Sequence, residues 1–339
     1  MKAIRIHRHG SPEVLQIDEM DISKPAPGEV LVKVKAAALN HLDLWVRRGI
    51  PGVKLPIILG SDAAGTIEEL GTKENGQSTV TVGDEVFIVP FRSDLPIGSA
   101  EELSDHYFIL GEHINGVQAE YITVPIDFIM TKPDKLSWEE TAAFPLAYMT
   151  AYHMLTKKVQ IHSDQTILIW GASSGIGSAA IQIAKLYNAR VITTAGSNTK
   201  TTFALQLGAD AVINYNKEDV SRSVKELTDG KGVDIVFEHV GESSWNHSLR
   251  SLKKGGIIVT CGATTGATVT LDLRYLFIKH QQIIGSTMGN RKDLSEISTL
   301  INKGQIRPVI SQIFDFGDIQ EAHRLLENNQ QQGKIILRF

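Results

Sequence analysis

Hydrophobic and polar positions change rhythm once along the chain. Up to about residue 125 they alternate in short runs, AIRI, EVLVKVKAAAL, AAGTIEEL, DEVFIV and AEYITV, separated by Gly, Pro, Asn and Asp. Period-two alternation broken by turn residues predicts a compact, largely antiparallel β domain. One helix interrupts it, from Asn40 to Arg48, with Asp43 as N-cap, Arg47 and Arg48 in the last turn and Gly49 as the stop. Between Phe91 and Glu112 the pattern dissolves into FRSDLPIGSAEELSDHYFILGE, expected to be a surface loop of a length that accompanies function or its loss. Ser137 to Lys157 opens with the capping-box pair Ser137 and Glu140 and predicts a helix broken near Pro145.

Beyond it strand and helix alternate. Strands are expected at 166–170, 190–194, 211–214, 233–238, 256–260 and 282–286, with helices near 175–187, 199–207, 217–228 and 243–252 between the first five. Six strands with crossover helices predict a doubly wound parallel sheet. The tail from Arg291 reads as a further helix and a final strand, KIILRF, that returns to the first domain. The expected division is therefore 1–125 with 291–339 as the β-rich domain, and 126–290 as the α/β domain.

Within the second part, Thr166 to Tyr187 carries the strongest local signal. An apolar run, Thr166 to Trp170, fits a strand buried on both faces. A turn containing Gly171, Gly175 and Gly177 follows, and then Ile176, Ala179, Ala180, Ile183, Ala184 and Tyr187 form one stripe of a helix. Such a strand, glycine turn and helix aims free N–H groups and the positive helix end at an anion, and a dinucleotide pyrophosphate is the usual one. The plain alternative is a tight strand-to-helix connection without a ligand. Gly171, Ser173, Ser174, Gly175, Ile176 and Gly177 are the expected pyrophosphate contacts.

Composition narrows the rest. With 34 basic and 38 acidic residues in 339, net charge −4 without long runs, no basic stripe points to nucleic acid. The single cysteine, Cys261, leaves no intramolecular disulfide and no four-cysteine zinc site. The N-terminal segment alternates like a strand and lacks a signal peptide's apolar core, and no stretch has the length of a membrane span. A cytoplasmic protein without membrane partners is the expectation.

An acidic residue at the end of the second strand, about twenty residues past the glycines, ordinarily binds the adenosine ribose. Here the chain reads VITTAGSNTK, and the next acid is Asp210. A carboxylate there would repel a 2′-phosphate. Ser197 can donate a hydrogen bond and Lys200 can reach as a point charge, so NADP is expected over NAD. Ser197 and Asn198 can equally serve as helix caps.

The motifs AAALNHLDLWVRRG, LGSDAAGTIEELG, VGDEV, FPLAYMTAYHML, WGASSGIG with AIQIAKLYNARVITTAGS, and the closing GKIIL resemble the medium-chain dehydrogenase/reductase superfamily from end to end. They look most like its zinc-free quinone oxidoreductase branch. The resemblance implies a GroES-like catalytic domain beside a Rossmann domain. It implies Lys200 and Tyr215 on the 2′-phosphate, Asn40 near the nicotinamide, and Thr150 on the nicotinamide side. His239 and Gly262 lie at strand ends facing the cofactor, although a buried, satisfied histidine is the plainer reading of His239.

Zinc members of the superfamily bind the catalytic metal through a Cys, a His and a Cys, where this chain has Asn40, Ser61 and Leu146. Amide, hydroxyl and hydrocarbon make no tetrahedral site, so no metal is expected. Polarisation of the substrate then falls to hydrogen bonds and placement. Asn40, Trp45 and Asp62 are the catalytic candidates. Trp45 replaces a frequent Tyr and cannot supply a proton. Asp62 could act in catalysis or anchor the nearby helix.

The implied activity is NADPH-dependent, zinc-independent reduction of a quinone, an enal or a ketone. A homodimer is expected because the sixth strand, Gln282 to Ser286, would lie at a sheet edge able to pair with its copy. Alternatives are an NADP-dependent alcohol dehydrogenase-like carbonyl reductase and a non-catalytic NADP-binding protein of structural or nucleic-acid-associated role. A short-chain reading built on Tyr275 and Lys279 conflicts with the long segment ahead of the glycine turn.

Overall fold

The computed structural model describes residues 1–72 and 80–339. The chain divides into two units, Met1–Leu146 with Asn290–Phe339, and Ala147–Gly289. The first runs through β1 (Lys2–Ile6), β2 (Leu15–Glu19), β3 (Glu29–Ala38), α1 (His41–Arg48), β4 (Ile57–Ile58), β5 (Asp62–Leu70), β6 (Glu85–Ile88), β7 (Phe91–Arg92), β8 (Phe108–Ile109), β9 (Tyr121–Pro125), β10 (Ile129–Thr131) and α2 (Trp138–Ala143). Helix α3 (Pro145–Tyr152) begins at the division. The second unit continues with β11 (Thr166–Ile169), α4 (Gly175–Leu186), β12 (Arg190–Ala195), α5 (Asn198–Gln206), β13 (Ala211–Asn214), α6 (Val220–Leu227), β14 (Val233–Glu238), α7 (Glu242–Ser251), β15 (Leu252–Thr260), α8 (Leu273–Lys279) and β16 (Gln282–Gly285). The chain then re-enters the first unit as α9 (Arg291–Asn302), β17 (Ile310–Asp315), α10 (Ile319–Glu327) and β18 (Lys334–Arg338).

In the first unit the main sheet has the order β10-β6-β5-β3-β18-β17, with β9 also on β3. Strand β3 carries it because its alternating Val30, Val32 and Val34 are buried among Ile67, Val86, Ile88 and Val124. Gly65 lets β5 approach, since a Cβ there would lie 2.1 Å from the Lys33 carbonyl oxygen. The closing strand does return to this unit: β18 lies antiparallel to β3, Ile336 opposite Ala38. A second core, including Ile4, Ile6, Leu44, Val46, Ile319 and Leu337, brings together β1, α1, α10 and β18.

The second unit is a six-stranded, wholly parallel sheet in the order β13-β12-β11-β14-β15-β16. Its central strand buries Ile167, Leu168 and Ile169 completely, as a run without alternation requires. The chain order reverses between β11 and β14, where ligands bind in such sheets.

Several expectations need correction. The division falls at Leu146 rather than at 125, because α2 packs on β3, β5 and β18. The N-cap of α1 is Asn40, and Asp43 stands at its third helical position, accepting the Asn40 N–H at 2.8 Å. The segment 91–112 is no plain surface loop: β7 pairs with β8, and Phe91, Glu101 and Leu110 are buried. Its anchor is Arg291, whose Nε donates to Glu101 Oε1 at 2.6 Å, whose backbone N–H donates to Oε2 at 3.0 Å, and whose NH2 donates to the Leu95 carbonyl at 2.7 Å. After α3 the chain continues as a π-helical turn, His153–Lys158. Helix α8 and, in the tail, β17 and α10 go beyond the expected elements.

Candidate active site

In the second unit the turn after β11 is built around Gly171, whose φ is +62°. Its N–H donates to Thr194 Oγ1 at 3.0 Å, tying the turn to β12. Ser174 caps α4, accepting the Gly177 N–H at 2.9 Å while its hydroxyl donates to the Gly171 carbonyl at 2.9 Å. A Cβ on Gly177 would lie 2.2 Å from that carbonyl, so only glycine lets helix and turn close. The cap uses the Gly177 N–H. The N–H groups of Gly175 and Ile176 belong to the first turn and have no intrahelical acceptor, as an anion cradle requires. Ser173 is nearly buried beside them.

At the end of β12, Ser197 caps α5 and accepts the Lys200 N–H at 3.3 Å. Burial holds the Lys200 ammonium below its ordinary pKa. Tyr215 is half exposed, and its hydroxyl lies over Gly196, where a Cβ would approach within 2.3 Å. Ser197, Lys200 and Tyr215 therefore border one turn. Two neighbours were missed by sequence reasoning: Asn216 Nδ2 donates to the Gly196 carbonyl at 2.8 Å, and Lys217 Nζ donates to Asn198 Oδ1 at 3.3 Å. Their place beside Tyr215 in INYNK was the available signal. The nearby acid, Asp210, is turned to Lys185 Nζ at 2.8 Å and to the Val191 N–H at 2.7 Å.

His239 follows β14 and reaches the glycine turn. Its Nε2 lies 2.9 Å from the Trp170 carbonyl, which can only accept, so Nε2 carries the hydrogen. Burial pushes this imidazole below its ordinary pKa, keeping it neutral. A Cβ on Gly171 would meet His239 Cε1 at 3.2 Å, and one on Gly262 would meet the His239 carbonyl oxygen at 3.1 Å. Thr150 is buried in α3, the helix whose Tyr148 hydroxyl accepts from Gln182 of α4 at 3.1 Å. The neighbouring Cys261 thiol is pushed up to about 12 by burial and is chemically quiet.

In the first unit Asn40, Asp43, Asp62 and Lys334 form a buried polar cluster. Asn40 Nδ2 donates to Asp62 Oδ2 at 2.9 Å, and the Lys334 ammonium donates to Asn40 Oδ1 and to Asp62 Oδ2, the latter at 3.1 Å. Asp62 Oδ1 accepts the Leu146 N–H at 2.8 Å, so the fully buried carboxylate is engaged at both oxygens. Asp43 accepts the Asn40 and Gly60 N–H groups at 2.8 and 3.0 Å. Burial nevertheless pushes the Asp43 carboxyl up to about 7. Trp45 stands half-buried on α1, its carbonyl capping the helix by accepting the Gly49 N–H at 2.9 Å. Lys334 was not foreseen: only the return of β18 beside β3 brings it to Asn40.

A nucleotide-binding sheet joined to a β-rich unit with a buried amide, carboxylate and lysine defines a class of two-part oxidoreductases. Residues 26–134 match the family Alcohol dehydrogenase GroES-like domain, and residues 175–303 match the family Zinc-binding dehydrogenase. The chain belongs to the medium-chain dehydrogenase/reductase superfamily and is an oxidoreductase of it. It is 34% identical to a crotonyl-CoA carboxylase/reductase of Cereibacter sphaeroides, over 97% of this chain and 84% of that protein. It is 32% identical to a quinone oxidoreductase of Salmonella typhimurium over 98% of each. Among solved structures, an NAD-dependent alcohol dehydrogenase superposes with a TM-score of 0.93 at 39% identity, covering all of both chains. A crotonyl-CoA carboxylase/reductase in complex with NADP superposes at 0.91 with 26% identity, covering 100% of this chain and 94% of that one.

The second family name implies zinc, and the residues at the three ligand positions do not fit it. Ser61 Oγ gives its hydrogen to the Leu110 carbonyl at 2.7 Å. Leu146 offers no side-chain donor atom, and Asn40 Oδ1 faces an ammonium whose charge opposes a second cation. Among the described residues no three His, Cys, Asp or Glu side chains are grouped to hold a metal ion. Among them, too, no helix is long and apolar enough to cross a membrane.

Proposed function

We propose that the chain is an NADPH-dependent, zinc-independent reductase of quinones or small conjugated carbonyl compounds. The observation that carries this reading is the turn at the end of β12, bordered by Ser197, Lys200 and Tyr215, where the nearby acid Asp210 is turned away to Lys185. A phosphorylated ribose suits that surface, and an unphosphorylated one gains nothing from its lysine. The Gly175 and Ile176 N–H groups would hold the pyrophosphate. Asn40, with an amide hydrogen to spare, would orient a ribose hydroxyl or the acceptor oxygen. Asp62 acts by anchoring Asn40, and Trp45 offers a flat apolar face to the substrate.

Bound NADPH supplies the hydride, and a proton from water completes the reduction. Because Asn40, Ser61 and Leu146 do not suit a zinc ion, charge on the acceptor oxygen would be stabilised by hydrogen bonds. A second copy would pair along β16, the edge of the sheet, beside Leu273, Phe277 and Ile278 of α8, which are 63, 65 and 58% exposed.

Following NADPH absorbance against duroquinone, 2-hexenal and cyclohexanone, with NADH as control, tests the reading. Quinone or enal turnover with at least tenfold higher kcat/KM for NADPH is expected. Equal use of NADH, or activity lost with a chelator and restored by zinc, would overturn it. The 39% identity to a structure titled NAD-dependent alcohol dehydrogenase favours a second reading, reduction of simple ketones, which the same panel separates.

A further inference from the structure

Lys334 has no part in the reaction as described above, yet its side chain is only 3% exposed and its ammonium reaches two of the three catalytic candidates, Asn40 and Asp62. A buried cation is costly unless paired and fully hydrogen-bonded, and Asp62 supplies the pairing. The contact to Asn40 does something more specific.

A side-chain amide can sit either way round. Here Oδ1 faces the ammonium and Nδ2 faces the Asp62 carboxylate at 2.9 Å. Turning the amide over would set N–H against N–H and oxygen against oxygen, two buried repulsions in place of two charge-assisted bonds. One orientation is therefore enforced. In it, one Nδ2 hydrogen is held by Asp62, and the second is left for a ligand on a residue that is 8% exposed.

We propose that Lys334 is a positioning residue that fixes the sense of the Asn40 amide, so that Asn40 meets its ligand as an N–H donor and never through its carbonyl. The ammonium also withdraws electron density through Oδ1, which strengthens the remaining N–H as a donor. A developing negative charge on an acceptor oxygen is what such a donor stabilises. The inference rests on the reading that Asn40 touches cofactor or substrate.

The test is the double variant D62N/K334M. It removes both buried charges together, so neither is left uncompensated. With its carbonyl on the Leu146 N–H, an asparagine at position 62 would turn its own NH2 toward Asn40 and draw the Asn40 carbonyl around. Side-chain amide NMR of [15N]Asn-labelled full-length protein reads the orientation. In the wild type the Asp62-bound hydrogen of Asn40 is expected downfield and slow to exchange, and the other is expected to move on saturation with NADP+ and duroquinone. The variant is expected to lose the protected signal and about 100-fold in kcat, with KM for NADPH changed less than threefold.

An unchanged Asn40 amide in the folded variant, or a changed amide with undiminished kcat, overturns the proposal. Should the variant not fold, a wild-type Asn40 amide with neither hydrogen protected overturns it equally, and one protected hydrogen supports it. Failure of the functional reading looks different: the wild type would show the protected amide but would transfer hydride from NADPH to none of the acceptors tested.

Discussion

Replacing Arg291 by Met should release the segment from Phe91 to Glu112. Glu101 is fully buried there, and the guanidinium that neutralises it also stacks over Phe128, 4.6 Å from the ring centroid. Without it, the carboxylate is left buried with no counter-charge, and breaking a buried ion pair in this way costs roughly 3–5 kcal/mol. Hydrogen exchange of peptides covering 91–112, normalised for intrinsic rates, should therefore be at least about 100-fold faster than in the wild type. The pair E101L/R291M should recover most of the protection. Exchange within threefold of wild type in R291M, or no recovery in the double variant, would refute the ion pair as the anchor.

Three further outcomes are expected. Asp43, raised to about 7, takes up a proton on folding between pH 4 and 7, so stability falls there with rising pH by at most about 1.4 kcal/mol per unit. His323, pushed down to about 3 by burial and by Arg47, works oppositely below about 6.5. Unfolding of D43N against pH should therefore expose a stability that rises from pH 4.5 to 6.5, where the wild type is flatter; equal slopes would remove the Asp43 assignment. K200A should weaken NADPH binding by about 10- to 100-fold and NADH binding less than twofold, read by fluorescence titration. F277E/I278E should sediment as a monomer under conditions in which the wild type is expected to sediment as a dimer, and a wild-type monomer at tens of micromolar would end the edge-strand proposal.

Much of the second unit was legible because its signals are local. The unalternating run Thr166–Ile169, the turn at Gly171 and the stripe beginning at Ile176 each depend on neighbours within one turn or strand, and all six expected strands are present. Helix α8 escaped because Leu273, Phe277 and Ile278 leave its apolar side uncovered within the chain, so no buried stripe announces it. The first unit was harder to read, since its decisive contacts are long-range. Asp43 resembles a cap by residue type, but Gly60 and Asn40 draw its carboxylate into the third helical position. Glu101 reads as solvated until Arg291 is brought to it. Lys334 reads as an ordinary strand lysine until β18 lies beside β3.

That placement of β18 has a consequence for how the protein is made. Synthesis delivers α1 and β5 early, and the partner strand that completes their sheet emerges only after the whole parallel-sheet unit. Until then the Ala36–Ala38 end of β3, beyond the stretch paired with β9, keeps an unpaired flank, a standing invitation to foreign strands. The nascent chain must therefore wait, and a ribosome stalled before residue 334 would leave Asn40 and the Asp62 carboxylate without the ammonium that joins them.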